Sequence, residues 1–141
     1  MRKALVPVDG SSSSDHAVRH VISLAGICPA MEVILLNVQP VVDDWEVRRF
    51  LKKEEIEAME TSKGGDALQS ARGLLDAAGI RYAPTVLIGP VAETIARTAA
   101  DQGCDGIVMG TRGMGAAASA LLGSVASQVI HLSAAPVTLV K

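Results

Sequence analysis

Short apolar runs alternate along this chain with longer stretches in which apolar residues recur every three or four positions. Five runs have the length and the β-branched content of buried strands, at residues 4–8, 32–38, 81–88, 106–109 and 136–140. Between these runs, the spacing of the apolar positions is that of helices with one buried face. The alternation of strand and helix predicts parallel strands joined by right-handed crossovers, with helices on both faces of the sheet.

Hydroxyl groups and glycines indicate where the first helices begin and end. The serines at 11–14 offer N-caps for the first helix, and Gly26 is expected to end it. The charged stretch 43–60 has the pattern of an exposed amphipathic helix, and the pair Gly64-Gly65 is expected to break it before the helical pattern continues.

Length and composition indicate the fold class. A chain of 141 residues is close to the commonest domain size, so we expect one domain over residues 1–141. The chain is 49% hydrophobic but holds a single Trp, a single Tyr and a single Phe, so its core must be aliphatic, as in strands covered on both faces. We therefore predict an α/β protein: a single doubly wound, Rossmann-like domain with a five-stranded parallel sheet, for which 3-2-1-4-5 is the typical strand order.

The charge and the apolar content exclude several partners. A net charge of −2 gives no basic surface for nucleic acid, and so few aromatic residues provide no stacking platform for single strands. No apolar run approaches the roughly 18 residues of a membrane span, and the first residues lack the pattern of a signal peptide. Cys28 and Cys104 are too few for a disulfide framework and are expected to be buried thiols. We therefore expect a cytoplasmic protein that binds neither membrane nor nucleic acid.

Candidate site residues follow directly after the strands. In an open parallel sheet, ligands bind outside the carboxyl ends of the strands, where the strand order reverses. The connection after the fourth strand is the most informative, because it reads Gly-x2-Gly-x9-Gly-Ser from Gly110 to Ser124. Glycines let a backbone approach a ligand closely, and a helix that begins near Ser124 would present free N–H groups to an anion. Arg112 adds a planar cation for phosphate oxygens. Taken alone, the glycines fit a flexible loop equally well.

This spaced motif, with residues 105–109 before it, resembles the nucleotide-binding signature of the universal stress protein family, in its ATP-binding subclass. Residues 6–11 and 136–140 share the resemblance, which thus spans both ends and most of the middle of the chain. It implies that ATP binds at the carboxyl edge, usually with a divalent metal, Mg²⁺ or Mn²⁺. The candidate binding residues are Pro7, Val8, Asp9, Val38, Met109, Gly110, Arg112, Gly113, Gly123, Ser124 and Val125.

The resemblance also assigns roles and a partner. It implies that Gly110, Gly113, Gly123 and Ser124 hold the phosphates and the ribose, whereas Pro7, Asp9 and Val38 line the adenosine end. It points to a homodimer formed through the fifth strand, from Pro136 to Val140. The residues support that expectation independently, because an apolar edge strand is a liability unless it is paired or covered. A monomer whose edge is shielded by residues 39–65 is the alternative.

Other nucleotide folds and hydrolases do not fit. A dinucleotide-binding dehydrogenase needs G-x-G-x-x-G after the first strand, where this chain has Asp9-Gly10-Ser11, and no Lys accompanies Gly123 as a P-loop requires. His16 and His20 have the spacing of two metal ligands, but a third is not evident. Two functions remain open: a nucleotide-dependent stress-response switch or sensor with at most slow ATP hydrolysis, or a structural, chaperone-like stress adapter in which nucleotide only stabilises the fold.

Overall fold

The computed structural model describes residues 1–42, 45–113 and 121–141, apart from the side chains of 46–48. Five parallel strands form one sheet in the order β3-β2-β1-β4-β5, which confirms the predicted order. Along the chain the elements are β1 (Lys3–Pro7), α1 (Ser12–Ile27), β2 (Glu32–Gln39), α2 (Trp45–Phe50), α3 (Lys53–Ala77), β3 (Ala83–Ile88), α4 (Val91–Asp101), β4 (Gly106–Gly110), α5 (Ser124–Leu132) and β5 (Val137–Val140).

Two aliphatic layers cover the sheet, one on each face. On the first face, Val6 of β1 packs in one buried cluster with residues of α1 and α3. On the second face, Leu5 of the same strand packs with residues of α4 and α5. Successive side chains of a strand point to opposite faces, so a central strand with helices on both sides is apolar at every position. This explains the continuous apolar runs of the sequence.

Three features of the helices differ from the sequence prediction. Gly26 lies inside α1, which runs on to Ile27 and ends with the N–H of Cys28 donating to the carbonyl of Leu24 at 2.9 Å. The pair Gly64-Gly65 does not break a helix but lies within α3. The exposed helix expected over 43–60 is instead divided into α2 and the start of α3, with 43 and 44 outside the described residues.

Close packing explains why α3 continues through its glycines. A Cβ on Gly64 would collide with a methyl group of Val86 on β3, and it would lie 3.1 Å from the side-chain oxygen of Asn37 on β2. Gly65 has nothing within 4 Å of such a position. One glycine of the pair thus lets the helix approach the sheet, and the other has no contact that requires it.

The two neighbouring glycines should therefore respond in opposite directions to the same substitution. Gly64→Ala is expected to destabilise the protein by about 1–3 kcal/mol, because the new methyl group overpacks the helix–sheet contact. Gly65→Ala is expected to stabilise it by about 0.5–1 kcal/mol, because alanine loses less backbone entropy in a helix. Urea unfolding of both variants measures the difference. Equal changes in the free energy of unfolding of Gly64→Ala and Gly65→Ala would contradict the packing explanation.

At the amino edge of the sheet, Asp105 fixes the beginning of β1. Its carboxylate oxygens accept hydrogen bonds from the backbone N–H groups of Arg2, at 2.8 Å, and Lys3, at 3.0 Å. These two hydrogen bonds hold the pKa of the Asp105 carboxyl below its ordinary range. The contact joins the first strand of the chain to the fourth, which lies beside it in the sheet.

Asp105 should therefore contribute to a loss of stability in acid. A folded-state pKa below the unfolded value of about 4 means that the stabilisation is present above that pH and is lost as the pH falls through the folded pKa. Asp105→Asn is expected to be less stable than the parent at neutral pH, because its amide sets an N–H donor against a backbone N–H. The urea unfolding midpoints of the parent and of Asp105→Asn should converge as the pH is lowered into the acid range. A difference that is the same at both pH values would contradict this.

The two cysteines differ. Cys104 is buried as expected, and burial raises the pKa of its thiol, whereas Cys28 is exposed, so that part of the expectation was wrong.

Within the three described stretches, no helix has both the length and the apolar content needed to cross a lipid bilayer.

Candidate functional site

A cleft opens at the carboxyl edge of the sheet, where strand order reverses. The pairing of β1 with β2 runs to Pro7, but its pairing with β4 stops at Leu5 and Ile107, so β1 and β4 separate towards this edge. The cleft has a volume of about 380 Å³, within the range of small-molecule sites. All the candidate residues line it: Pro7, Val8, Asp9, Val38, Met109, Gly110, Arg112, Gly113, Gly123, Ser124 and Val125.

The tertiary structure adds lining residues that sequence reasoning missed. They belong mainly to helices and complete the walls: Ser14, Asn37, Val91, Ile95, Leu122 and Ala126. Val91 and Ile95 are four positions apart on α4, and Val91 directly follows the β3–α4 turn. Their spacing in the apolar stripe of α4 was visible in the sequence, but nothing there showed that the stripe reaches past the core to this cleft.

Asn37 fixes the floor of the cleft between β1 and β2. Its buried side chain donates to the carbonyl of Val8 at 2.8 Å and accepts from the side-chain amide of Gln39 at 2.8 Å. A buried amide whose donor and acceptor both have partners holds its neighbours in place. The polar residue within the otherwise apolar run of β2 was the signal that could have identified it.

The turn after β1 is held by a network of hydroxyl and carboxylate groups. Gly10 has a φ of +84°, a backbone conformation that favours glycine. Ser11 is the N-cap of α1 and accepts from the N–H of Ser14 at 3.2 Å. Asp9 accepts from the N–H of Ser11 at 3.0 Å and from the hydroxyl of Ser14 at 2.8 Å. The first turn of α1 is therefore well capped.

The segment from Gly110 to Gly113, here called the glycine segment, is anchored on several sides. The N–H of Thr111 donates to the carbonyl of Val140 at the end of β5 at 3.1 Å, and its carbonyl accepts from Gly123 at 2.6 Å. A Cβ on Gly110 would lie 2.7 Å from the backbone oxygen of Ser13. Gly110 is thus required by the approach of β4 to α1.

The N-terminus of α5 opens onto the cleft, and no side chain in the described part of the chain caps it. Gly123 is its N-cap, and Ser124, Val125 and Ala126 line the cleft. The first intrahelical bond runs from the N–H of Ser127 to Gly123 at 3.0 Å. The N–H groups that precede it lie at the positive end of the helix dipole, where an anion is stabilised.

The rest of the lining divides the cleft into an apolar part and a polar end. Val38, Val91, Ile95 and Met109 give it apolar walls, while Arg112 and Asp9 are the charged residues among the described lining. Among the described residues, no group of three His, Cys, Asp or Glu side chains could hold a metal ion, so His16 and His20 gain no third ligand there. The arrangement suits a ligand that combines a flat apolar ring with an anionic group.

Comparison with known proteins agrees with this geometry. The profile of the universal stress protein family matches residues 1–141. The chain belongs to the universal stress protein family. Universal stress protein MJ0531 of Methanocaldococcus jannaschii is 33% identical to it, over 99% of this chain and 82% of that protein. The solved structure of MJ0577 from the same organism superposes with a TM-score of 0.85 at 31% identity, covering 99% of this chain and 95% of that one.

More distant universal stress proteins share the fold of this one. A crystal structure of a family member in complex with cAMP has a TM-score of 0.73 at 22% identity, over 99% of this chain and 97% of that one. A family member from Arabidopsis thaliana with AMP bound has a TM-score of 0.70 at 18% identity, covering 100% of this chain and 92% of that one. At these identities the likeness establishes the fold.

Proposed function

We propose that this universal stress protein binds an adenine nucleotide, ATP, in the cleft and acts as a nucleotide-dependent switch or sensor in the stress response. The observation that carries the proposal is the N-terminus of α5, which no described side chain caps and which opens onto a cleft with apolar walls at the switch point of the sheet. Two family members with cAMP and AMP bound support the same class of ligand.

In this proposal the two parts of the cleft take the two parts of the nucleotide. The adenine ring packs between Val38 of β2 and the α4 residues Val91 and Ile95. The phosphates lie at the N–H groups of α5 and at the hydroxyl of Ser124, with Arg112 beside them as a bidentate donor. Apolar surface thus supplies affinity for the ring, and backbone amide groups provide selectivity for the anion.

Purification of the protein from cells without added nucleotide tests the proposal most directly. We expect an adenine nucleotide to accompany the protein and to be identified by mass spectrometry after denaturation. Titration calorimetry with ATP, and with GTP as the control, should then show preference for ATP. A protein that carries no nucleotide and binds neither compound would contradict the proposal.

Hydrolysis of ATP should be slow. Phosphoryl transfer needs a positioned nucleophile, and the one carboxylate among the described lining residues, that of Asp9, already accepts hydrogen bonds from Ser11 and Ser14. We expect turnover below about 1 per second, under the usual range of enzymes. Phosphate release under saturating ATP and Mg²⁺ measures it. Turnover of hundreds per second would make the protein an enzyme instead of a switch.

A structural stress adapter is the second candidate. The observation that favours it is α2, where Trp45 is 65% exposed and Phe50 is 78% exposed, since exposed apolar surface of this kind often binds a partner. Affinity capture of partners with and without ATP separates the two functions. A partner whose binding changes with ATP supports the switch, and equal capture supports the adapter. For both candidate functions we propose that the protein is a cytoplasmic homodimer formed through β5.

A further inference from the structure

The carboxylate of Asp9 lies between the two segments that form the polar end of the cleft. One oxygen, Oδ1, accepts from the N–H of Ser11 at 3.0 Å and from the hydroxyl of Ser14 at 2.8 Å. The backbone N–H of Asp9 in turn donates to the same hydroxyl at 3.0 Å. Ser14 is 6% exposed, whereas Asp9 and Ser11 are half-buried, so this network is partly shielded from water. Asp9 is therefore fastened to the first turn of α1.

The other oxygen, Oδ2, faces the glycine segment. A Cβ built on Gly113 would collide with Oδ2, so the backbone of Gly113 lies directly against the carboxylate. The same two segments also meet at Ser13, whose hydroxyl accepts from the N–H of Arg112 at 3.3 Å. Asp9, which is bonded to α1, thus contacts the glycine segment at Gly113, and Ser13 of α1 bonds to the same segment at Arg112.

Asp9 is the residue of the described lining best suited to bind a divalent metal. Mg²⁺ in phosphate sites is usually held by one or two carboxylates together with the phosphates, and Asp9 is the one carboxylate among the described lining residues. Residues 114–120, outside the described part of the chain, read MGAAASA and contain no His, Cys, Asp or Glu. A carboxylate ligand for a metal would therefore have to come from Asp9, whose Oδ1 already has two donors.

We propose that Asp9 is a positioning residue that fastens the glycine segment to α1, and that the cleft holds the phosphates without a carboxylate ligand from the protein to a metal. The phosphates are then held by the N–H groups of α5, the hydroxyl of Ser124 and Arg112. A metal ion that accompanied a triphosphate would be held chiefly by phosphate oxygens and water. This inference rests on the proposed nucleotide binding for its ligand but not for the role of Asp9.

Nucleotide affinity with and without metal separates the positioning role from metal ligation. We expect Asp9→Ala to weaken ATP binding by about tenfold or more, by the same factor in excess Mg²⁺ and in excess EDTA, because the hydrogen bonds that it removes involve no metal. Asp9→Asn keeps an acceptor oxygen for Ser11 and Ser14, so its loss of ATP affinity should be smaller than that of Asp9→Ala. The matched control is Asp15→Ala, which removes a carboxylate from the first turn of α1. Asp15 does not line the cleft.

Amide hydrogen exchange in the nucleotide-free protein provides a second measurement that does not depend on ATP. We expect faster exchange at Ser11 and across the glycine segment in Asp9→Ala, and no change there in Asp15→Ala. A loss of ATP affinity confined to Mg²⁺, or unchanged exchange in the glycine segment of Asp9→Ala, would overturn the positioning role. If the parent binds no ATP in either condition, the proposed function fails, while the exchange measurement still decides the role of Asp9.

Discussion

Replacing Gly123 by Val is expected to abolish ATP binding, with a loss of affinity of about 100-fold or more. A Cβ at this position would lie 3.3 Å from the Cα of Arg112 and 3.3 Å from the carbonyl oxygen of Thr111. Both neighbours are backbone atoms, so they cannot rotate away as a side chain can. The further methyl groups of valine would separate the glycine segment from the N-terminus of α5 or enter the space of the phosphates.

Gly113→Val should have a similar effect through a different contact, because its Cβ would displace the carboxylate of Asp9. Gly73→Val is the matched control, since Gly73 lies on α3 with nothing within 4 Å of a Cβ. Titration calorimetry measures affinity, and circular dichroism shows whether each variant is folded. If both cleft variants fold and bind ATP as the Gly73 variant does, the site is assigned wrongly.

The second large effect is expected at β5, which we propose to be the interface of a homodimer. The strand order places β5 at an edge of the sheet. The carbonyl groups of Pro136 and Val140 point inward, since they accept from Ile107 and Thr111. The backbone groups alternate along a strand, so those of Val137 and Leu139 point away from β4 and are available to a second copy.

Part of the segment considered as a shield for this edge, the beginning of α3, belongs to a helix that packs elsewhere. In the sheet, the main packing contacts of α3 are with β2 and β3, on the opposite side of β1 from β5. Next to β5, the α5 residues Ile130 and Leu132 are 45% and 50% exposed. Their apolar surface extends the open edge, and a two-fold axis would let one such patch serve both copies.

Val137→Pro is expected to convert the dimer into a monomer at micromolar concentration. The substitution removes an outward N–H group and leaves the hydrogen bonds with β4 intact, because Val137 does not donate to that strand. Thr138→Val, which keeps every backbone donor, is the matched control. The side chains of Val137 and Leu139 both pack on the core, so circular dichroism must show that the Val137→Pro variant is folded, and a buried charge at Leu139 would be the poorer test. Light scattering should give twice the chain mass of 14.6 kDa for the parent and the control. A monomeric parent, or a Val137→Pro variant that remains dimeric, rules the interface out.

The sequence by itself determined the fold class and the place of the cleft. Alternating strands and helices impose a parallel sheet, and the carboxyl ends of parallel strands meet at one edge. Residues at or just beyond the carboxyl ends of different strands, such as Asp9, Val38 and Gly110, must then approach one another. The predicted residues line the cleft for this reason.

Only the tertiary structure decided how each glycine and each helix is used. Gly64 and Gly65 look the same in the sequence, and the helix passes through both because the gain from packing on Val86 exceeds the low helix propensity of glycine. The position of Ile95 in the cleft and the contact of Asp9 with Gly113 likewise depend on segments far apart in the chain. Local spacing shows which face of an element is apolar. It does not show which distant surface that face meets, because packing is settled by the shapes of both partners together.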